Sequence, residues 1–82
     1  MQEYKPISCD YYDYIEQYAM KAEPVIVEYM DQDSMIRSME DVIVDTRVSN
    51  GEEFIQLKSG KEIRMDHIIR LNDHILSDFK AC

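Results

Sequence analysis

Carboxylates and histidines are the residues of this sequence whose types and spacing could do chemistry, and they form two groups. The first is Asp10, Asp13 and Glu16, which recur every three residues and would lie on one side of a helix. Paired carboxylates act as general acid and base when burial shifts the pKa of one of them. An exposed helical face lacks that burial, so helix capping and solvation explain these acids at lower cost.

The second group consists of Asp66-His67 and Asp73-His74, which with Asp78 could bind a metal ion. A tight metal site needs convergent ligands held by fixed neighbours, whereas two exposed turns with solvating carboxylates explain the same residues. The sequence also has no HExxH, CxxC, GxSxG or glycine-rich phosphate loop. We therefore expect no enzyme activity, no catalytic residue, no cofactor and no metal.

The net charge is strongly negative and unevenly distributed. The 82 residues include 17 acids and 9 bases, for a formal charge of −8; residues 1–34 carry −6 of it and residues 35–82 carry −2. Such a surface repels phosphate backbones and attracts basic partners, which disfavours direct binding of nucleic acid. The hydrophobic content of 45% and the two glycines and two prolines are typical of one small folded domain.

The N-terminus, MQEYKPIS, has neither the basic nor the apolar region of a signal peptide. No apolar run approaches the roughly 20 residues that cross a bilayer. The two cysteines, Cys9 and Cys82, have no disulfide-framework spacing. We expect a cytoplasmic protein with reduced thiols and no membrane partner, with a Cys9–Cys82 bridge as the alternative.

A helix is predicted over residues 10–21. Asp10 is a suitable N-cap, Ser8 is a competing cap, and Pro24 ends the helix. The face expected to pack on the rest of the domain consists of Tyr11, Tyr14, Ile15 and Tyr18. The face expected to point outward consists of Tyr12, Asp13, Glu16, Gln17 and Met20.

Alternating apolar residues and turn signals after Pro24 predict about five short antiparallel strands. One strand is expected to bend or bulge at Glu40-Asp41, and Asn50-Gly51 is a strong turn signal. The predicted fold is mostly β with one N-terminal helix, as a small SH3-like or Sm-like antiparallel β-barrel. Residues 4–71 form this domain, and residues 72–82 form a tail that could be a helical turn or a frayed end.

Basic residues on the strands form a second candidate surface. We expect these bases, on alternating strands, to offset nearby acids; they are Arg37, Arg47, Lys58, Lys61 and Arg64. The alternative is an Sm-like RNA-binding module that uses the less acidic C-terminal half through Arg47, Lys58 and Arg64.

A family resemblance rests on the run Tyr4-x-Pro6-Ile7-x-Cys9-Asp10-x-Tyr12-Asp13-x-Ile15-Glu16. It resembles the N-terminal signature of the Rho-binding antiterminator (Rof) family, and Glu62-Ile63-Arg64-Met65-Asp66-x-Ile68 resembles its C-terminal counterpart. The similarity covers residues 4 to 71. It implies a non-enzymatic protein with a helix before an Sm-like barrel. Such a protein binds the N-terminal domain of transcription termination factor Rho, blocks RNA loading and inhibits Rho-dependent termination.

The resemblance also implies which residues bind the partner. They are Tyr12, Asp13 and Glu16 of the helix, with neighbouring Asp10, and a loop over residues 45–52. In that loop Arg47 and Asn50 would replace the Lys and Asn of the family. An acidic face suits a basic, RNA-binding protein surface, because the acids can meet the Lys and Arg that otherwise hold phosphates. We expect the protein to act as a monomer.

Overall fold

The computed structural model describes residues 4–79. A helix, α1, is followed by six strands, β1 to β6. Their bounds are α1 Cys9–Lys21, β1 Pro24–Met30, β2 Ile36–Ser49, β3 Glu52–Leu57, β4 Glu62–Arg64, β5 Ile68–Leu71 and β6 His74–Ile75. Short 3-10 turns follow β4 at Met65–His67 and β6 at Leu76–Asp78.

The six strands form one antiparallel sheet in the order β4-β3-β2-β1-β5-β6. The 14-residue β2 pairs with β1 along its first half and with β3 along its second half. The sheet therefore curls around one core, with β4 and β6 at its two edges. The predicted fold class, mostly β with one N-terminal helix, is confirmed; the sheet is barrel-like but does not close.

The predicted irregularity at Glu40-Asp41 is wrong, because β1 pairs continuously across it, with Ile26 opposite Glu40 and Val25 opposite Asp41. The register shift lies further on, between Ile43 and Asp45, where β2 passes from β1 to β3. An extra residue there lets β2 change direction while Ile43 stays buried. The strand is thus continuous, as predicted, but it bends after Ile43 and not at the acidic pair.

The helix begins one residue before its predicted start, and its N-cap is Ser8, not Asp10. The Ser8 hydroxyl accepts a hydrogen bond from the Asp10 N–H at 3.2 Å. The segment before α1 is held in place, since the Lys5 N–H donates to Asp66 Oδ2 at 3.0 Å. The helix ends at Lys21, and Ala22 adopts a left-handed conformation with φ 53° before Pro24.

The core lies between α1 and the concave side of the sheet. Its members are Tyr11, Ile15, Val25, Val27, Tyr29, Ile43, Ile55, Leu57, Ile63, Met65, Ile68 and Leu71. The predicted inward face of the helix is confirmed for Tyr11 and Ile15, which are fully buried, while Tyr14 and Tyr18 are half-buried. The buried Tyr11 hydroxyl donates to the His74 carbonyl at 2.7 Å, which ties the helix to β6.

The segment that follows β5 packs against the helix. His74 stacks on the Tyr14 ring with centroids 4.0 Å apart, and Phe79 meets the Tyr11 ring edge-on at 5.0 Å. Of the two alternatives left open for the tail, residues 76–78 form a short helical turn of the 3-10 type. Residues 80–82, the last three of the predicted tail, lie outside the residues that the structure describes.

Cys9 is disulfide-bonded, so the prediction of a reduced thiol at this position is wrong. Its predicted alternative partner, Cys82, lies outside the described residues. Spacing along the chain gave no sign of a bridge, because a disulfide depends on distance in the fold. Within residues 4–79, no helix has the length and apolar character needed to cross a membrane.

Candidate functional site

The acidic face of α1, which we define as Asp10, Asp13 and Glu16, is exposed. Successive members lie about one helical turn apart, so their charges are displayed along one side of the helix. Every salt bridge found within residues 4–79 involves other acids. Three carboxylates therefore face solvent without a described intramolecular cation, and this confirms the predicted exposure of Asp13 and Glu16.

Tyr12 is less exposed than the sequence predicts. It is half-buried and packs against the core, and its hydroxyl lies 3.4 Å from Thr46 Oγ1 on β2. The helical period places Tyr12 on the outward side, but the long β2 strand curls up beside the helix and covers part of the ring. Tyr12 thus joins α1 to β2 and presents only part of its surface.

The segment over residues 45–52 is not a loop but the tip of the β2–β3 hairpin. Asn50 and Gly51 form the turn with φ of 52° and 78°, the left-handed values that Asn and Gly tolerate. Arg47 follows Thr46 directly in β2, so the two side chains point to opposite sides of the sheet. The structure therefore brings Tyr12 to β2 but places Arg47 on the other side, away from the Tyr12 contact.

The strand arginines are engaged with carboxylates. Arg47 forms two hydrogen bonds with Glu62, at 2.5 and 2.7 Å, and its guanidinium lies 5.0 Å from the Phe54 ring centroid. Arg37 pairs with Asp31 at 2.7 Å. The prediction that these bases offset nearby acids is confirmed for both arginines.

Among the described residues, Arg64 is the most deeply buried cation, with its side chain 8% exposed. It donates to both oxygens of Asp66, at 2.6 and 2.7 Å, and to Glu52 at 3.1 Å. Its guanidinium also lies 5.5 Å from the Tyr4 ring centroid. Of the residues proposed for the alternative RNA-binding surface, Arg47 and Arg64 therefore already hold carboxylates, while Lys58 is exposed.

Shifted pKa values accompany these contacts. Burial would raise the pKa of Asp66, but hydrogen bonds from Arg64 and the Lys5 N–H outweigh it and hold that pKa below its usual range. The Arg47 hydrogen bonds likewise lower the pKa of Glu62. Burial raises the pKa of the Tyr4 hydroxyl, with the Glu53 charge adding to the effect. These shifts keep the paired carboxylates ionised, as expected for a structural network.

The histidines lie apart from each other in different surroundings. His67 Nε2 is 3.9 Å from Asp66 Oδ1 beside β4, whereas His74 stacks on Tyr14 at the far side of the sheet. No group of three or more His, Cys, Asp or Glu residues in the described chain lies close enough to hold a metal ion.

An open groove of about 870 Å³ lies between the end of β1 and the edge strand β4. Its walls combine rings, aliphatic groups and both signs of charge, from Tyr29, Met30, Asp31, Gln32, Asp33, Ser34, Phe54, Lys61, Glu62, Ile63, Arg64 and His67. Lys61 Nζ lies 5.3 Å from the Tyr29 ring centroid within it. The groove is formed by residues from three separate parts of the chain, so no local sequence pattern predicts it.

Comparisons with known proteins leave the chain without an assigned family. No family model, curated protein or solved structure matches it.

Proposed function

We propose that this protein binds the N-terminal RNA-binding domain of transcription termination factor Rho, blocks RNA loading and thereby inhibits Rho-dependent termination. The observation that supports this is the acidic face of α1, where Asp10, Asp13 and Glu16 are exposed and make no described salt bridge. The same positions carry the resemblance to Rho-binding antiterminators. In this proposal the protein is a cytoplasmic, non-enzymatic monomer.

The negative charge of this chain favours an RNA-binding protein as its partner and disfavours RNA itself. A chain of net charge −8 repels phosphates. The same carboxylates form charge-assisted hydrogen bonds with the Lys and Arg of an RNA-binding surface. By occupying those cations the protein competes with RNA, and its association should slow as salt screens the attraction.

The hairpin contributes less in this proposal than the family resemblance implies. Asn50 is exposed at the tip of the hairpin, whereas Arg47 is held by Glu62. Arg47 would have to leave Glu62 before it could contact a partner, so α1 carries the main contact.

The decisive experiment is titration calorimetry with the N-terminal domain of Rho from the same organism. The test variant is Asp13→Lys with Glu16→Lys. The control is Glu40→Lys with Asp33→Lys, which changes the net charge equally at exposed acids on β2 and in the β1–β2 turn. We expect the test pair to weaken binding about 100-fold or more and the control about threefold, since local pairs matter more than the distant field.

Equal weakening by both pairs, at unchanged melting temperatures, would assign the effect to overall charge and contradict the proposed surface. Absence of binding by the unaltered protein would refute the function itself. An RNA gel-shift at moderate salt tests the alternative, because tight binding of single-stranded RNA by this chain favours the Arg47, Lys58 and Arg64 surface. In a competition assay, we expect the protein to displace RNA from Rho.

A further inference from the structure

The two asparagines of the sequence, Asn50 and Asn72, have similar backbone conformations but different surroundings. Both lie in the left-handed region, with φ of 52° and 51°. Asn50 is exposed at the tip of the β2–β3 hairpin, whereas Asn72 is half-buried directly after β5. The same type of side chain, at nearly the same φ, thus occurs once in an open site and once in a constrained one.

The amide of Asn72 is held by hydrogen bonds at both of its polar atoms. Its Oδ1 accepts from the Ile26 N–H at 2.9 Å, and its Nδ2 donates to the Tyr18 hydroxyl at 3.4 Å. The backbone N–H of Asn72 also donates to the Ile26 carbonyl at 2.9 Å. The side chain is therefore fixed between β1 and α1, and the residue that follows it, Asp73, has a side chain next to its own backbone nitrogen.

Asn50 has none of these restraints. Among the described residues, neither the Asn50 carboxamide nor the Gly51 N–H makes a hydrogen bond. The space beside Gly51 is open as well, since no atom lies within 4 Å of the point where a Cβ would stand. The side-chain amide of Asn50 and the backbone nitrogen that follows it are thus both unrestrained, in two exposed residues.

We propose that Asn50 is a site of spontaneous deamidation and that Asn72 is not. The Gly51 nitrogen gives its proton to hydroxide and attacks Asn50 Cγ, and the new N–Cγ bond closes a succinimide ring. The Cγ–Nδ2 bond breaks, and the departing nitrogen takes a proton from water and leaves as ammonia. Water then opens the ring: cleavage at Cγ gives aspartate, and cleavage at the main-chain carbonyl carbon of residue 50 gives isoaspartate. The net change replaces an amino group by a hydroxyl group and needs no oxidant or reductant.

Ring closure requires the turn to rotate until Asn50 Cγ reaches the Gly51 nitrogen. The turn lies at the end of the β2–β3 ladder, next to its last pair, Ser49 with Glu52. Opening the end of a ladder costs far less free energy than opening the core. At Asn72 the same rotation must first break the two hydrogen bonds of the side chain. The structure therefore favours reaction at one of the two asparagines.

The modification changes both the charge and the backbone of the hairpin tip. Either product adds one negative charge to the −8 of the chain. Isoaspartate also inserts a methylene group into the main chain of a two-residue turn, and such a turn fixes the register of the strands that it joins. Isoaspartate therefore weakens the pairing of β2 with β3, whereas aspartate leaves the length of the main chain unchanged. The inference goes beyond the proposed function and does not depend on it.

The test is incubation of the full chain at neutral and at mildly alkaline pH, with peptide mapping by mass spectrometry at intervals. Deamidation appears as a mass gain of about 1 Da in the peptide that contains the reacting asparagine. Enzymatic methylation of isoaspartate distinguishes the two products. The control Asn50→Gly removes the carboxamide and keeps a residue that this turn accepts. A second variant, Asn50→Asp, supplies the charge without the additional methylene group.

We expect Asn50 to deamidate at least about tenfold faster than Asn72, because hydrogen bonds restrain the Asn72 side chain. The rate should rise with pH, since the deprotonated nitrogen is the attacking group. After the same incubation, the unaltered protein should melt at a lower temperature than Asn50→Asp, and Asn50→Gly should keep its mass at this position and its melting temperature.

Two results would overturn the inference. One is deamidation of Asn72 as fast as that of Asn50, which would show that the hydrogen bonds of Asn72 give no protection. The other is an unchanged Asn50 in the folded chain under conditions in which a short peptide with the sequence of residues 47–54 deamidates, because the hairpin would then protect it. An incubated protein that contains isoaspartate and melts like Asn50→Asp would refute the predicted weakening of the hairpin.

Discussion

Replacement of Asp66 by Asn should destabilise the fold more than the loss of an exposed ion pair does. Asp66 and Arg64 have side chains only 9% and 8% exposed, and they share two short hydrogen bonds. Removing one partner of a buried pair leaves the other charge without compensation, which costs about 3–5 kcal/mol. We expect about 3 kcal/mol, because Glu52 still contacts Arg64 and the new amide oxygen still accepts one hydrogen bond.

The measurement is urea unfolding at pH 7, supported by thermal unfolding. For a domain of this size, a loss of about 3 kcal/mol corresponds to a fall in melting temperature of about 12–24 °C. The control is Arg37→Gln, which breaks the Arg37–Asp31 pair, where the arginine side chain is 58% exposed. Exposed pairs contribute little, so this control should melt close to the unaltered protein.

The pH dependence gives a second test of the same pair. The pKa of Asp66 is lower in the folded protein than in the unfolded chain, where it is about 3.9. Its contribution is therefore present above that pH and is lost as the pH falls through the folded value. The stability difference between the unaltered protein and Asp66→Asn should shrink between pH 5 and pH 3. A difference at pH 7 no larger than that of Arg37→Gln, or one that does not shrink in acid, would refute this account of Arg64.

Two further predictions concern the helix. Ser8→Ala should lower the free energy of unfolding, measured with urea, by about 1 kcal/mol. Asp10→Ala should lower it less, because the Ser8 hydroxyl is the cap that accepts the hydrogen bond from the Asp10 N–H. A larger loss for Asp10→Ala would reverse that assignment. Ile15→Ala should cost about 2–5 kcal/mol because the side chain is fully buried between α1 and the sheet. Gln17→Ala, at an exposed position of the same helix, is its control, and equal losses would contradict the packing described.

The helix and the turns could be predicted because their signals are local. Pro24 ends α1 close to where the sequence places the end, and Asn50-Gly51 forms the expected hairpin turn. The position of the irregularity in β2 could not be predicted from the acidic pair at Glu40-Asp41. It depends on where β2 leaves β1 for β3, and that point follows from the pairing of three strands at once.

The candidate site was predictable only in part, for a related reason. Helical period alone places Asp13 and Glu16 outward, and no neighbouring element covers them. The same period places Tyr12 outward, but β2 lies against that side and Thr46 contacts its hydroxyl. The side to which Arg47 points depends on strand register, and its partner Glu62 is 15 residues away. The exposure of Tyr12 and the partner of Arg47 depend on contacts between segments that are far apart in the sequence. The pattern within one segment therefore cannot predict them.

The ion pairs of the structure show which acids of this unevenly charged sequence are neutralised and which are not. Counting charges shows only that residues 1–34 carry −6 of the total of −8. The acids that pair with arginine in the described chain are Glu28, Asp31, Glu52, Glu62 and Asp66, and none belongs to α1. Salt bridges thus neutralise five acids outside α1, whereas Asp10, Asp13 and Glu16 are exposed and make no described salt bridge. Three exposed carboxylates along one side of α1, next to Tyr12, therefore make that side of the helix locally negative, and such a surface attracts a basic protein surface.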